Sequence, residues 1–356
     1  MGLRGYIAKR LVYAVILVIC ALSLNFLIFE LMPGEIATVF IQQRGLAPSL
    51  ANQLIYEFNH NWGLDQPLHI KYLIYIRNMF TWNFGISMAN RTPVAGQILA
   101  RIPWTLILIG LATVISIGIG ITLGVVSAYK RGSTLDSTNL VAALMLGSVP
   151  VFWLGLVFVV IFSQWLRLFP PSLAWPSEWG LPGQSPMLYS VGNAVVQGSN
   201  GFVTTLNVGS GALTVAAGII SHAFLPVFTL SIFLYGGYTL LARATMIDAL
   251  TEDYIVTARA KGVSETSVLF RHALRNASLP IITAVALAFG FLFSGATITE
   301  TVFSWPGLGL WIFRAVQLKD FFAMQAIFFI ITLMVIIANI MADFLYGVVD
   351  PRIKYG

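Results

Sequence analysis

Six long apolar runs, separated by polar segments, predict helices that cross a membrane. Each run has about 20 residues or more, the length that an α-helix needs to span about 30 Å of hydrocarbon. Five of the runs contain no Asp, Glu, Lys or Arg, whereas the first contains Glu30 at its outer end; the fourth contains His222. The predicted spans are residues 11–31, 102–129, 140–166, 213–241, 279–299 and 321–342. This pattern predicts an all-α polytopic membrane protein.

The polar segment between the first and second runs contains the pattern of a further helix. After Pro67, apolar and aromatic side chains recur at helical spacing, which is typical of an amphipathic helix lying at a membrane surface. These side chains are Leu68, Tyr72, Tyr75, Ile76 and Met79. Two roles stay open for this helix, aromatic anchoring alone or contact with a partner.

The composition supports the membrane class. The chain is 58% hydrophobic and 10% charged, with a mean hydropathy of +0.84. Soluble proteins average about 25% charged residues. The single cysteine, Cys20, excludes an internal disulfide and a cysteine-based metal cluster.

The cations predict the orientation, because positive residues are enriched in the cytoplasmic loops of membrane proteins. Twelve of the 20 Lys and Arg residues fall at the termini and in two connecting segments. They are Arg4, Lys9, Arg10, Lys130, Arg131, Arg243, Arg259, Lys261, Arg271, Arg275, Arg352 and Lys354. Both termini are therefore predicted to be cytoplasmic.

This orientation divides the chain into three parts. Residues 1–31 contain the N-terminus and the first span, and residues 32–101 form a substantial extracellular segment with the interfacial helix. Residues 102–356 form the membrane core. Within that core, the Pro-, Ser-, Gly- and Asn-rich stretch 167–212 is predicted to be an irregular extracellular loop, and 243–277 a cytoplasmic loop.

The residue pattern provides little chemistry for an enzyme or an ion-coupled carrier. No lysine is followed by Ser or Thr, so the phosphate-binding loop of an ATPase is excluded. Ion-coupled carriers usually place ionisable groups near mid-bilayer. His222 is the lone candidate, and a histidine bonded to a neighbouring helix explains it better, while Glu30 is close to the surface. The other histidines, His60, His69 and His272, share no metal-site spacing with it.

These exclusions leave a passive conduit without an active site of its own. A stand-alone carrier or channel is the alternative, and an intramembrane enzyme is a more remote third. Small residues in the second span favour close helix packing over a pore-lining role, since Gly120 and Gly124 form a Gly-x-x-x-Gly pair.

The stretch "DYIVTARAKGVSETSVLFRHALRNASLP", residues 253–280, combines a short helix-forming segment with several cations. Gly262 is expected to end that helix, since glycine adopts the left-handed conformation of a helix C-terminus. Charged side chains are costly inside hydrocarbon. The stretch is therefore predicted to be an exposed helix and turn beside the membrane.

This stretch resembles the cytoplasmic coupling loop of inner-membrane permeases of ABC importers in the dipeptide/oligopeptide/nickel group, and the chain is similar to the B-type permease of the pair. The resemblance covers nearly the whole chain, with further motifs in the same order as in the family. They include "LMPGEIA", "GLDQPLHIKYLIYI", "SVPVFWLGLVFVVIFS", "ITETVFSWPGLGLWIFRAV" and "DPRIKYG".

The resemblance implies a type I importer fold of about six transmembrane helices in the plasma membrane. It implies four partner chains: a second homologous permease, two cytoplasmic ATP-binding subunits and an extracellular substrate-binding protein. ATP and Mg would be held by the ATP-binding subunits, and no cofactor by this chain. No nucleic acid is expected.

The resemblance also assigns ATPase coupling to the segment that ends at Gly262. The residues are Asp253, Tyr254, Thr257, Ala258, Arg259, Ala260, Lys261 and Gly262. The sequence departs from the Glu-Ala-Ala pattern of ABC permeases generally, because Val256, Thr257 and Ala258 stand at that spacing. The cargo stays open between oligopeptides and oligosaccharides, because members of the group carry either.

Overall fold

The computed structural model describes residues 3–30, 52, 55–56, 59–60, 63, 65–174, 195–197, 203–205 and 211–349. Helices dominate this part of the chain, in agreement with the apolar runs. They are α1 (Leu3–Glu30), α2 (Leu68–Phe80), α3 (Val94–Tyr129), α4 (Thr134–Ser148), α5 (Val151–Phe158), α6 (Gly211–Leu250), α7 (Asp253–Ala260), α8 (Glu265–Ser267), α9 (Leu274–Val302), α10 (Leu308–Gln317) and α11 (Phe321–Val349). Two π-helical segments, Val159–Trp165 and Val268–Ala273, extend α5 and precede α9.

Four single helices among the described residues are long and apolar enough to cross a membrane. They contain the segments Lys9–Glu30, Val94–Tyr129, Ala216–Leu250 and Phe321–Met341. A bent pair, Thr134–Ser148 with Val151–Trp165, provides a fifth candidate. The remaining predicted span falls on α9, which has 29 residues, although the side chains of 286–295 lie outside the described residues.

The third predicted span, 140–166, is not one straight helix. The axes of its two parts differ by 103°. Val149 is extended, with φ −80° and ψ 133°, and Pro150 follows with ψ 132°. A residue before proline is pushed out of the α region, and proline has no N–H to continue the helix. The Val149–Pro150 step therefore accounts for the bend.

The amphipathic helix predicted after Pro67 is present as α2, and its apolar face packs on α1. The ring of Phe26 in α1 lies 5.3 Å from that of Tyr72 and 5.5 Å from that of Tyr75. The Ser23 hydroxyl is 2.7 Å from the Tyr72 hydroxyl, and the Asn25 amide donates to the Tyr75 hydroxyl at 2.8 Å. The packing explains the helix without a partner chain, and a partner contact stays a prediction.

Helices α3 and α6 approach closely at the two glycines of the predicted packing pair. A Cβ on Gly120 would lie 2.6 Å from Tyr238 Cβ, and one on Gly124 would lie 2.6 Å from Ala242 Cβ. Both distances are far shorter than carbon atoms tolerate. The packing interpretation of these glycines is confirmed.

A larger apolar cluster joins α1, α2, α10 and α11 to the start of α3. Its buried members include Leu22, Tyr75, Ile98, Trp311 and Ile327. Helix α3 begins at Val94, earlier than the span predicted from residue 102, and Ile98 contributes to this cluster. The cluster fixes α2 and α10 against the long helices.

A two-stranded antiparallel hairpin interrupts the loop predicted to be irregular at 167–212. Strand β1 (Val195–Gln197) pairs with β2 (Val203–Thr205), with Val196 opposite Thr204. Val and Thr favour strands because their branched side chains fit a pleated surface. Residues 175–194, 198–202 and 206–210 of the predicted loop lie outside the described part, and 211–212 belong to α6.

Candidate functional site

Helix α7 and the turn after it, residues 261–264 (the α7 turn), form a compact exposed unit. Gly262 has φ +75°. Its N–H donates to Arg259 O at 2.9 Å, and the Val263 N–H donates to Ala258 O at 3.2 Å. These two bonds define a Schellman motif, in which a residue with positive φ ends a helix. The conformation predicted for Gly262 is confirmed.

The inner face of α7 packs on the ends of two long helices. Ile255 and Ala258 are buried in a cluster with Val125 of α3 and with Met246 and Ala249 of α6. A helix of eight residues is too short to persist alone in water. Its position is therefore set by this apolar contact with α3 and α6.

The other residues assigned to coupling lie around the outer face of α7. Asp253, Thr257, Ala260, Lys261 and Gly262 are exposed. Tyr254 is half-buried, and its hydroxyl donates to Ala249 O at 3.4 Å. Ala258 faces the chain's own cluster, so it supports α7 and presents no side chain outward. Helix α7 therefore packs against α3 and α6 on one face and is exposed on the other.

An ion pair stiffens the connection that follows the α7 turn. The Arg259 guanidinium donates to both carboxylate oxygens of Glu265, at 2.9 and 3.3 Å. Both side chains are nearly half exposed. Exposed ion pairs contribute about 0–1 kcal/mol, so this contact orients the turn and adds little stability.

A second polar site, which sequence reasoning missed, lies at the junction of α9 and α10. Glu300 of α9 is fully buried. Its Oε1 accepts a hydrogen bond from Thr105 Oγ1 at 2.7 Å, and its Oε2 accepts one from Leu310 N at 3.0 Å. Thr105 Oγ1 also accepts from Leu308 N at 2.8 Å. Glu300 thereby joins α3, α9 and the start of α10.

Two glycines make room for this carboxylate in the turn at residues 303–307 (the α10 turn) and just after it. A Cβ on Gly307 would overlap the Glu300 carboxylate, and a Cβ on Gly309 would overlap Thr297 Cα. Trp305, fully buried in the turn, donates from Nε1 to Trp104 O at 2.9 Å. The α10 turn is thus held inside the protein.

Asp320 forms a similar buried contact at the other end of α10. Its carboxylate accepts hydrogen bonds from the Ser87 hydroxyl, from Met88 N at 3.1 Å and from Ala89 N at 3.3 Å. It also accepts from Ala323 N at 3.3 Å, which caps the start of α11. Asp320 fastens the segment before α3 to α11.

The comparison with known proteins decides the family. Residues 120–355 match the family described as "Binding-protein-dependent transport system inner membrane component". Residues 3–109 match the one described as "Binding-prot-dependent transport system membrane comp, N-term". The chain belongs to this family of importer permeases.

Several relatives align with the permease over nearly their whole length. It is 34% identical over 352 residues to the dipeptide transport system permease protein DppB of Escherichia coli strain K12, covering 98% of each chain. It is 34% identical to the di/tripeptide transport system permease protein DppB of Pseudomonas aeruginosa strain UCBPP-PA14, covering 99% of each. It is 32% identical to the oligopeptide transport system permease protein AppB of Bacillus subtilis strain 168, covering 99% of this chain and 100% of that one.

The two ionisable residues weighed for ion coupling both have structural partners in the permease. His222 Nδ1 lies 2.9 Å from Ser172 O, in the segment after the first π-helix. Glu30 pairs with Lys71 of α2 at 2.9 Å. Both contacts favour a structural role.

One signal in the sequence pointed to the missed carboxylates. Glu300 follows directly on the fifth predicted span, and Asp320 directly precedes the sixth. Each lies next to a glycine-containing or polar turn, where a buried carboxylate can find backbone N–H donors. Both residues lie just outside the apolar runs, so hydropathy does not distinguish them from exposed charges at a membrane surface.

Proposed function

We propose that this permease forms the translocation path of an ATP-driven importer for oligopeptides and that α7 couples it to ATP-binding subunits. The match of both family descriptions across nearly the whole chain supports the importer role. A second permease, two ATP-binding subunits and an external binding protein complete the proposed assembly. ATP and Mg belong to the ATP-binding subunits, and this chain holds no cofactor.

The proposed cargo is a peptide. Each relative described above is named for the transport of dipeptides, tripeptides or oligopeptides. A further relative, 32% identical over 351 residues, is named the glutathione transport system permease protein GsiC of Escherichia coli O1:K1 / APEC. These names favour peptides over the oligosaccharides that the sequence left open.

The form of α7 supports the proposed coupling. One face is held by α3 and α6 through Ile255 and Ala258, so a force on the helix would reach two long helices. The other face is exposed, with Ala260 offering a small contact surface beside Lys261. An ATP-binding subunit bound to this face would move α7 when the two ATP-binding subunits close on each other. The transmembrane helices would then open the path alternately to the outside and to the cytoplasm.

The proposed orientation places α7 and both termini in the cytoplasm. The cationic segments at 130–131, 243 and 259–275 lie on the same side as α7 along the predicted topology. A cysteine placed at Ser264 in a Cys20→Ser background tests this orientation. It should stay unlabelled by an impermeant thiol reagent in intact cells. Labelling would show that α7 faces the outside and that the proposed orientation is wrong.

Reconstitution tests the importer function against a stand-alone carrier or channel. Proteoliposomes with the permease, its second permease, the ATP-binding subunits and the loaded binding protein should accumulate peptide only when ATP is present. Proteoliposomes with the permease alone should accumulate none. Uptake by the single chain under a proton or sodium gradient would contradict the importer function and support a stand-alone carrier.

A further inference from the structure

A bidentate ion pair ties α4 to α6 close to the start of α7. Arg243 Nε donates to Asp136 Oδ1 at 2.6 Å, and Arg243 Nη2 donates to Asp136 Oδ2 at 2.8 Å. The Asp136 side chain is 5% exposed and the Arg243 side chain 22%. Two parallel charge-assisted bonds fix the relative position of two helices more strictly than a single contact can.

The carboxylate of Asp136 is also held by the turn that precedes α4. Gly132 N donates to Oδ2 at 3.0 Å, and the Asp136 N–H donates to Ser133 Oγ at 3.2 Å, which caps α4. Arg131 also favours the charged carboxylate electrostatically, but it makes no hydrogen bond to it. Arg243 is therefore the cation that forms hydrogen bonds to the Asp136 carboxylate.

Close packing on both sides of Arg243 joins α4, α6 and α3 into one unit. A Cβ on Gly236 of α6 would lie 2.5 Å from Ala143 O of α4. On the other side, a Cβ on Gly124 of α3 would lie 3.0 Å from Arg243 N. Asn139 of α4 donates to Ser127 Oγ of α3 at 2.8 Å. These contacts bring α4 and α3 against the same stretch of α6, and the ion pair adds the charged contact that fixes α4 on α6.

The same stretch of α6 reaches α7. Met246 and Ala249, which follow Arg243 on α6, pack against Ile255 and Ala258 of α7. At its other end, α4 stops at the 103° bend before α5. The chain of contacts therefore runs from α7 through α6 and Arg243 to α4 and the bend.

We infer that the Asp136–Arg243 ion pair is a positioning contact that transmits the movement of α7 to α4 and to the bend at Pro150. This inference rests on the proposed coupling of α7 to ATP-binding subunits. Loss of the pair would let α7 and α6 move while α4 stays behind. ATP would then be hydrolysed without a matching opening of the path.

The test measures peptide taken up per ATP hydrolysed by the complete reconstituted transporter. The peptide is whichever of dialanine, trialanine or glutathione binds saturably to the cognate binding protein. The main variant carries Asp136→Leu with Arg243→Met, because an ion pair replaced by apolar residues of similar volume usually leaves a protein folded. Its uptake per ATP should fall by about tenfold, a typical size for coupling between sites.

Two further variants keep the result interpretable. Arg243→Lys keeps the charge but loses the bidentate geometry, so it should lower uptake per ATP by a smaller factor even if the double variant does not assemble. Arg131→Gln is the matched control, since it removes a nearby cation without a hydrogen bond to Asp136, and its ratio should equal that of the wild type.

A purely structural ion pair would give a different result. Yield and thermal stability of the complex would then fall, while uptake per ATP stayed at the wild-type value in both Arg243→Lys and the double variant. That result would overturn the inference. If the wild-type complex itself takes up none of the peptides with ATP, the proposed function fails, independently of the ion pair.

Discussion

The α7 turn and the α10 turn both depend on glycine, but they need it for opposite reasons. Gly262 adopts φ +75°, and no atom lies within 4 Å of the Cβ that another residue would add there. Gly307 has φ −88°, which any residue can adopt, yet a Cβ there would overlap the Glu300 carboxylate. The first turn needs a backbone conformation, and the second needs space.

The difference separates a surface left open from a junction closed within the chain. In the α7 turn, Lys261, Gly262 and Ser264 are exposed on the described part of the chain. Around the α10 turn, Thr105 donates to the buried Glu300 carboxylate, and the buried Trp305 donates to Trp104 O. Changes in the α10 turn should therefore affect folding first, whereas changes in the α7 turn should affect transport with little loss of stability.

The largest loss of stability is expected for Gly309→Ala. The new Cβ would overlap the backbone atom Cα of Thr297, which cannot move unless α9 and α10 separate. Overpacking of this kind costs about 1–3 kcal/mol, and a backbone clash belongs at the upper end. Thermal unfolding in detergent measures the effect. Gly118→Ala, at a position with open space on α3, is the control, and equal melting temperatures for the two variants would contradict the prediction.

Glu300→Gln should have the next largest effect. The amide NH2 would have to replace a carboxylate oxygen that accepts from Thr105 or from Leu310 N. A buried donor facing another donor costs about 1–3 kcal/mol. Glu265→Gln, at an exposed glutamate paired with Arg259, should shift the unfolding temperature far less. A smaller shift in unfolding temperature for Glu300→Gln than for Glu265→Gln would contradict the role of the Glu300 carboxylate in joining α3, α9 and α10.

Gly262→Val should reduce stability moderately and abolish ATP-driven uptake. A β-branched residue at positive φ costs about 1–2 kcal/mol, and the strain would distort the proposed contact with the ATP-binding subunit. Gly262→Asn is the matched control, since asparagine tolerates this conformation. The two variants should differ clearly in uptake and in co-purified ATP-binding subunit, and equal uptake would argue against any need for the turn.

Ala260→Asp should have the smallest effect on stability, within about 0.5 kcal/mol, because the residue is exposed. If an ATP-binding subunit covers this face, the added charge would be buried without a partner and would weaken the contact. Uptake and co-purification should fall together, while Ala260→Ser keeps both. Wild-type values for Ala260→Asp would show that the face stays in solvent.

The helices could be predicted well because their signals are local. Hydrophobic length gives the spans, Pro67 marks the start of α2, and Gly262 marks the end of α7. The close contact at Gly120 and Gly124 also follows from sequence spacing. In each of these places, local preference and final packing favour the same structure.

The long-range contacts could not be predicted in this way. Glu300 and Thr105 are far apart in sequence, as are Asp136 and Arg243. The sequence around each of these residues does not indicate which distant residue it contacts. The bend before Pro150 had a local signal, but the apolar run around it masked the break. Burial of a carboxylate depends on which donors the fold brings to it, so hydropathy alone cannot reveal it.

The bend between α4 and α5 also has a consequence for hydration. The last carbonyl groups of a helix lack intrahelical donors, and Pro150 supplies no N–H to them. Lipid tails offer no hydrogen bonds, so irregular backbone at membrane depth must face water or another protein chain. Ser148 and Pro150 are exposed on this single chain. Where the bend lies at membrane depth, that side of the protein must therefore face water or a protein surface, and the acyl chains must lie elsewhere.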